Sequence, residues 1–205
     1  FTSGKNNFQY LPAFNATLFL SANSQDVKEA LHNGYAAGRV LNRHYIEDDE
    51  NDKELRLAFD FDGVLADDSS EKIYQDAGGN INTYFEHEKE YADKPLPKGP
   101  ILDLLSKISY YQNLEKKMLE KDKSYQRILK TAIVTARNAP AHERVISSLK
   151  TWGINVDEAF FLGGIEKSRI LSILKPHIFF DDQLGHLSHL RNIPAVHIPF
   201  GITNK

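Results

Sequence analysis

The sequence predicts an α/β fold in which a parallel sheet carries helices on both faces. Three observations predict it. Short apolar runs recur along the chain, amphipathic segments of helical period separate them, and Gly, Pro, Asn and Asp punctuate the joins. Alternating units of this size build parallel sheets, which bind ligands beyond the carboxyl ends of their strands. The 205 residues suffice for one domain, or one domain plus an attached piece, with a sizeable core.

The first unit is a strand at 16–20 and a helix opened by Ser24, with Val27, Ala30 and Leu31 on one face. Residues 46–54, IEDDENDKE, are acidic and lack an apolar period, which marks a solvated linker and a domain boundary. The run LRLAFD at 55–60 reads as a strand ending in a carboxylate. Asp68 with Glu71 forms a capping-box signature for a helix starting near Ser69. The aromatic segment 80–93, NINTYFEHEKEYAD, is compatible with a helix, and KPLPKGP then breaks the chain before Pro100 opens another. Ile101, Leu104, Leu105 and Ile108 give that helix a core-facing stripe, while its lysine-rich end LEKKMLEKDK is expected in solvent. With no strand between them, these helices make residues from about 67 to 128 a helical insertion. Strands at 131–135, 159–162, 177–181 and 195–198 then alternate with helices at 140–152, closed by Gly153, at 166–174, stopped by Pro176, and at 183–192.

The chain also echoes itself. Laying residue 1 on residue 161 aligns Phe1 with Phe161, Gly4 with Gly164, Leu11 with Leu171 and Phe19 with Phe179, and brings strand onto strand and helix onto helix. Ser21 and Ala22 then stand against Asp181 and Asp182, and Asn7 against Lys167. Residues 1–45 are therefore read as the tail of a degenerate upstream repeat that has lost its charged chemistry, and 55–205 as the domain that keeps it. A chain opening on Phe1 and a turn-rich stretch is expected to begin inside a longer protein.

Composition narrows the function classes. A formal net charge of -3 and a pI near 6.3 provide no broad field for a polyanion, so a nucleic-acid polymer is disfavoured as a partner. The absence of cysteine excludes disulfides, thiolate metal sites and thiol catalysis. No apolar run approaches the roughly 18 residues of a membrane span, and FTSGKNNFQY lacks a signal pattern. The expected setting is cytoplasmic, with no membrane partner and with a homo-oligomer left open.

The strongest chemical signal is FDFDGVLADD, 59–68, an apolar strand delivering Asp60 and Asp62 to its carboxyl end with Gly63 permitting a tight turn. A second acidic pair, Asp181 and Asp182, ends the run IFFDD. Both pairs would meet at one edge of a parallel sheet, where burying like charges demands a cation. Oxygen ligands suit a hard divalent ion such as Mg2+, which also binds substrate phosphate. TAIVTARNAP ends a strand with Thr135, whose hydroxyl can donate to a phosphate oxygen, and the turn after it opens a helix with free amides. Lys167, at a helix start after LGGIE, places a cation where an anion would otherwise meet the carboxylates. His186 and His189 read as helix-surface residues, since magnesium prefers oxygen.

The order Asp-x-Asp-Gly-Val, strand-Thr, Lys, Asp-Asp resembles the haloacid dehalogenase (HAD) superfamily through all four motifs. More closely, LRLAFDFDGVLADDSSE, YFEHEKEYADKPLPKGP, TAIVTARNAP, SLKTWGINVDEAFFLGG and KPHIFFDDQLGH resemble the cytosolic 5'-nucleotidase I family, and ATLFLSANSQDVKEALHNGYAAG extends the resemblance upstream. It implies a HAD-like Rossmannoid fold with a small helical cap. It also implies a magnesium-dependent phosphatase that converts nucleoside 5'-monophosphates such as AMP or IMP to nucleoside and phosphate. By the same resemblance Asp60 is the nucleophile that forms an aspartyl-phosphate, and Asp62 is the general acid and then the base. Thr135 and Lys167 hold the transferring phosphoryl oxygens. The metal ligands come from Asp60, the Asp62 carbonyl and the 181–182 pair, with the choice between Asp181 and Asp182 open. Substrate contacts are expected from Thr135, Ala136, Arg137 and Lys167. In the cap segment YFEHEKEY, Tyr84 or Phe85 is expected to stack on a base and Glu86, His87 or Glu88 to bond to its edge. Two other readings compete: a phosphatase of sugar phosphates or other small phosphomonoesters, because the four motifs read phosphate and say little of the leaving group, and a non-catalytic nucleotide sensor.

Overall fold

The computed structural model describes residues 5–41 and 49–204. Strands β1 (Phe19–Ser21), β2 (Ala37–Val40), β3 (Leu55–Phe59), β4 (Leu129–Thr135), β5 (Glu158–Phe161), β6 (Ile178–Asp181) and β7 (Ala195–His197) form one sheet in the order β1-β2-β7-β6-β3-β4-β5. Helices α1 (Ser24–His32), α2 (Ser69–Asp76), α3 (Ile81–Glu90), α4 (Leu102–Lys121), α5 (His142–Trp152), α6 (Lys167–Leu174) and α7 (Leu184–Ser188) connect them. This is the α/β class that the alternation predicts, with a mostly parallel sheet. Side chains on successive strand residues leave opposite faces. Phe59, Ile133 and Phe180 therefore pack under α4 and α5 with Leu105, Val145 and Leu149, while Ala58, Val134 and Phe179 meet Leu171 of α6 and Leu187 of α7. The Phe59 and Phe180 rings stack at 5.1 Å. Each such burial stabilises by about 1.5–3 kcal/mol, and each of these rings immediately precedes a site carboxylate, Asp60 or Asp181.

The exception to the parallel pattern is β2, which the sequence pattern does not announce. It pairs antiparallel with β7, Arg39 opposite His197 and Val40 opposite Val196. Two parallel strand-helix-strand units, β1-α1-β2 and β6-α7-β7, thus lie back to back across that pair. The matched positions Phe19 and Phe179 both sit in the outer strands of those units. The echo positions Phe1 and Gly4, and residues 46–48 of the acidic stretch, lie outside the described residues.

Two local expectations are corrected. Asp68 holds the N-cap position of α2, but its side chain makes no capping bond. Its Oδ2 instead accepts from the amide of Ile202 at 2.6 Å, while Asp67 Oδ1 takes the amide and hydroxyl of Ser69. The predicted insertion also divides. α2 and α3 cover the carboxyl ends of β3 and β4, whereas α4 belongs to the main layer, with Leu102, Leu105 and Ile108 in the core beside Phe59 and Ile133. Among the described residues no helix is long and apolar enough to cross a membrane.

Candidate active site

Asp60 follows β3, and its amide donates to the Phe180 carbonyl at 2.8 Å, so the strand ladder itself seats the residue beside β6. Lys167 opens α6, and its buried Nζ lies 2.7 Å from both Asp60 Oδ2 and Asp181 Oδ2. Asp181 Oδ1 accepts from the Gln183 amide at 2.8 Å, and His186 Nδ1 lies 3.2 Å from both Asp181 oxygens. Asp182 is buried too. Its Oδ2 accepts from the Thr203 hydroxyl at 3.1 Å, while its Oδ1 has no hydrogen-bond partner. Gly63 is required here twice over: its φ is +72°, and a Cβ would come within 2.7 Å of the Asp182 carboxyl.

Three buried carboxylates around one ammonium leave an excess of negative charge. Burial, with Lys167 opposing and Asp181 adding, pushes the Asp60 carboxyl up to about 6. Burial and the charges of Asp60 and Asp181 push Asp182 up to about 8. Burial works against the charged form of Lys167, but Asp60 and Asp181 outweigh it and raise the ammonium above its ordinary value. Burial likewise opposes ionised Asp181, yet Lys167 and His186 hold it below the usual carboxylate range. An oxygen-rich cluster with surplus negative charge and an orphaned buried carboxylate oxygen fits a hard divalent cation. Asp60, Asp181 and His186 bring one ligand atom each within 4.8 Å of one another. The helix-surface expectation for His186 is thereby corrected: α7 is a short helix and turns this ring toward Asp181. His189 lies beyond the end of α7 as its C-cap and is exposed.

Asp62 has a different partner. Its Oδ2 and Oδ1 accept from Nε and Nη2 of Arg137, each at 2.7 Å, in a bidentate pair. Arg137 Nη2 also donates to Ser70 Oγ at 2.7 Å, and Nη1 to Ala141 O at 3.1 Å and to Glu88 Oε2. A guanidinium has five N–H donors, and these contacts use all of them. The Arg137 amide donates to Thr135 Oγ1 at 3.3 Å. The expectation that Arg137 contacts substrate therefore meets a side chain already saturated by protein.

A cavity of about 200 Å³ opens at this edge of the sheet. Asp60, Asp62, Thr135 and Ala136 form its floor, and Ser70 and Tyr74 of α2 with Ile81, Tyr84 and Phe85 of α3 form its wall. Tyr74 and Tyr84 meet edge to face at 6.2 Å and hold the two cap helices together. Glu71, Arg137, Asn138, Gln183 and His186 complete the lining. Sequence reasoning passed over Asn138 and Gln183, since neither ends a strand nor carries charge. Of the expected cap contacts, Tyr84 and Phe85 reach the cavity and Glu86, His87 and Glu88 do not. Glu86 is exposed, the His87 ring stacks on Tyr91 at 4.6 Å, and Glu88 is fully buried. A larger cavity of about 520 Å³ lies at the opposite strand ends, beside Leu57, Thr131 and Glu158. The charged groups Arg56 and Asp157 in its wall are already paired, with Asp52 and Arg127.

A family model described as 5'-nucleotidase matches residues 1–205. The chain is 34% identical over 209 aligned positions to cytosolic 5'-nucleotidase 1B of Homo sapiens, an alignment that takes in 100% of this chain and 32% of the relative. The chain thus spans about a third of the length of that curated relative. Strand-end carboxylates, the buried lysine and the match along the whole chain lead to one assignment: this protein belongs to the 5'-nucleotidase family.

Proposed function

We propose that the chain carries the catalytic site of a magnesium-dependent 5'-nucleotidase that hydrolyses nucleoside 5'-monophosphates through an aspartyl-phosphate on Asp60. The observation that carries the reading is the meeting of Asp60, Asp62 and Thr135 on one cavity floor, with Lys167 and surplus buried carboxylate directly behind Asp60. Asp60, the Asp62 carbonyl and the 181–182 pair would hold Mg2+, which when bound supplies the positive charge that lets a carboxylate approach a phosphate dianion.

An Asp60 carboxylate oxygen attacks phosphorus while the bond from phosphorus to the nucleoside 5'-oxygen breaks, and Asp62 gives that oxygen its proton. Asp62 then takes a proton from water, which attacks the phosphorus and breaks its bond to Asp60, releasing phosphate. Proton transfer of this kind is worth about 10²–10⁴-fold. Lys167 and the Thr135 hydroxyl hold phosphoryl oxygens, and Ala136 lines the same floor. A 200 Å³ cavity is below the roughly 300–1,000 Å³ of whole-ligand sites. It accepts the phosphate and sugar, and leaves the base at the mouth against Tyr84 and Phe85. Cytoplasmic placement, and descent of residues 1–45 from a retired copy of the site, belong to the same reading.

Phosphate release from AMP, IMP, GMP, CMP, UMP, their deoxy forms and several sugar phosphates, with and without magnesium, tests it. The expected result is magnesium-dependent cleavage of nucleotides by the wild type and none by Asp60→Asn. Cleavage of sugar phosphates alone would replace the substrate class, and no cleavage by the folded, full-length protein would replace catalysis with nucleotide sensing.

A further inference from the structure

We propose that Glu88 is a positioning residue: from cap helix α3 it sets, through Arg137, the orientation of the Asp62 carboxyl, so that Asp62 is aimed only while the cap is seated. The inference rests on the reading of Asp62 as the acid and base of phosphate-ester hydrolysis.

Glu88 is 0% exposed, and both of its oxygens are engaged. Oε2 takes Arg137 Nη1, while Oε1 accepts from Arg144 Nη1 at 2.8 Å and from the Ser70 hydroxyl at 3.0 Å. Arg144, on α5, is pinned in turn by its Nε donating to the Lys94 carbonyl at 3.0 Å. One cap carboxylate therefore bridges two arginines of the main layer. A buried ionic cluster is a poor source of net stability, because apolar groups of the same shape often do as well. Its geometric consequence is larger. Glu88 and Ala141 hold one edge of the Arg137 guanidinium, and a planar group held along one edge presents the other, Nε and Nη2, at a set angle. That second edge grips both oxygens of Asp62. With all five N–H groups committed, Arg137 has no donor left for a phosphate, and its contacts run from cap to Asp62. Misplacing a reacting group by about 1 Å can cost about 10²-fold.

The test compares AMP with p-nitrophenyl phosphate in the full-length protein, using wild type, Glu88→Gln, Asp62→Asn and the double variant. The p-nitrophenolate leaving group departs without needing a proton, so a misaimed acid harms AMP more. Glu88→Gln is expected to lower kcat/KM on AMP by about 10- to 100-fold and kcat/KM on p-nitrophenyl phosphate far less, because kcat/KM ends at formation of the aspartyl-phosphate, before Asp62 serves both substrates alike as the base. The double variant is expected to be no slower than Asp62→Asn alone, because residues acting through one group do not add. Equal loss of kcat/KM on both substrates, or losses that multiply in the double variant, would overturn the proposal and leave Glu88 a structural residue. Should Glu88→Gln fail to fold, Ser70→Ala removes the hydroxyl shared by Arg137 and Glu88. It is expected to show the same leaving-group dependence at smaller size, and independence of the leaving group there also overturns the proposal. A wild type that cleaves neither substrate removes the nucleotidase reading and this inference with it. A wild type that cleaves AMP, with Glu88→Gln at wild-type kcat/KM, removes this inference alone.

Discussion

Lys167 and Arg137 serve neighbouring carboxylates, two residues apart in the chain, in opposite ways. Around Lys167 the anions outnumber the cation: Asp60 and Asp181 share one ammonium, and Asp182 keeps a buried oxygen without a partner. Around Arg137 the charges balance. Arg137 and Arg144 face Asp62 and Glu88, and every Arg137 donor is used. The first centre leaves a buried carboxylate oxygen without a partner, whereas the second is satisfied by protein alone. The difference separates a place where chemistry enters from a frame that holds it.

Removing the proposed nucleophile has the largest effect: Asp60→Asn should abolish phosphate release while the Arg137 cluster and the fold persist, read by turnover and circular dichroism. Next come the two cations. Lys167→Met and Arg137→Met should each cost about 3–5 kcal/mol in urea denaturation without divalent ions, because each strands buried carboxylates. Added Mg2+ should restore part of the loss in Lys167→Met and none in Arg137→Met. Equal rescue would erase the distinction between the centres.

The pH dependence of stability sharpens the same contrast. Asp60 and Asp182 titrate higher in the folded state than the ordinary aspartate value of 3.8, at about 6 and about 8. The folded state then binds more protons than the unfolded, so their contribution is present at low pH and is lost as pH rises toward 8. Burial opposes ionised Glu88, but Arg137 and Arg144 outweigh it and hold its carboxyl below the usual range, so its contribution is lost as pH falls. Metal-free wild type should therefore lose stability from this cluster between about pH 4 and 8, and Asp182→Asn should flatten the upper part of that loss. A curve unchanged by Asp182→Asn would contradict the surplus of charge. The smallest effect is expected at the mouth: Phe85→Ala should raise KM for AMP by about 1–3 kcal/mol of lost stacking with kcat nearly unchanged. A fall in kcat alone would place Phe85 in the frame.

Most of the sheet was legible because strand-end residues, helix stops such as Gly153, and apolar runs are local signals. β2 was not. Its four residues, AGRV, carry little apolar pattern, and Gly38 is there because a Cβ would strike the Val196 side chain of β7, a contact no local pattern encodes. The capping box failed for a related reason. Asp67 and Asp68 are equivalent candidates in sequence, and the distant Ile202 amide takes one of them away. In the site, Asp60, Thr135, Lys167 and Asp181 could be read because each marks a strand end or helix start. Glu88 and Arg144 meet across 56 positions of chain, and such pairing leaves no periodic trace. Glu88 therefore reads from sequence only as a candidate, beside Glu86 and His87, to bond to the edge of a base. His186 reads as a helix-surface residue because magnesium prefers oxygen ligands, and only the packing of α7 against the end of β6 shows its ring facing Asp181.

Calorimetric titration of Mg2+ into metal-free wild type, Asp182→Asn and Glu88→Gln tests the contrast between the two centres most directly. One site in the wild type, retained in Glu88→Gln and weakened about tenfold or more in Asp182→Asn, is the predicted result. No site in the wild type, or equal binding by Asp182→Asn, would contradict it.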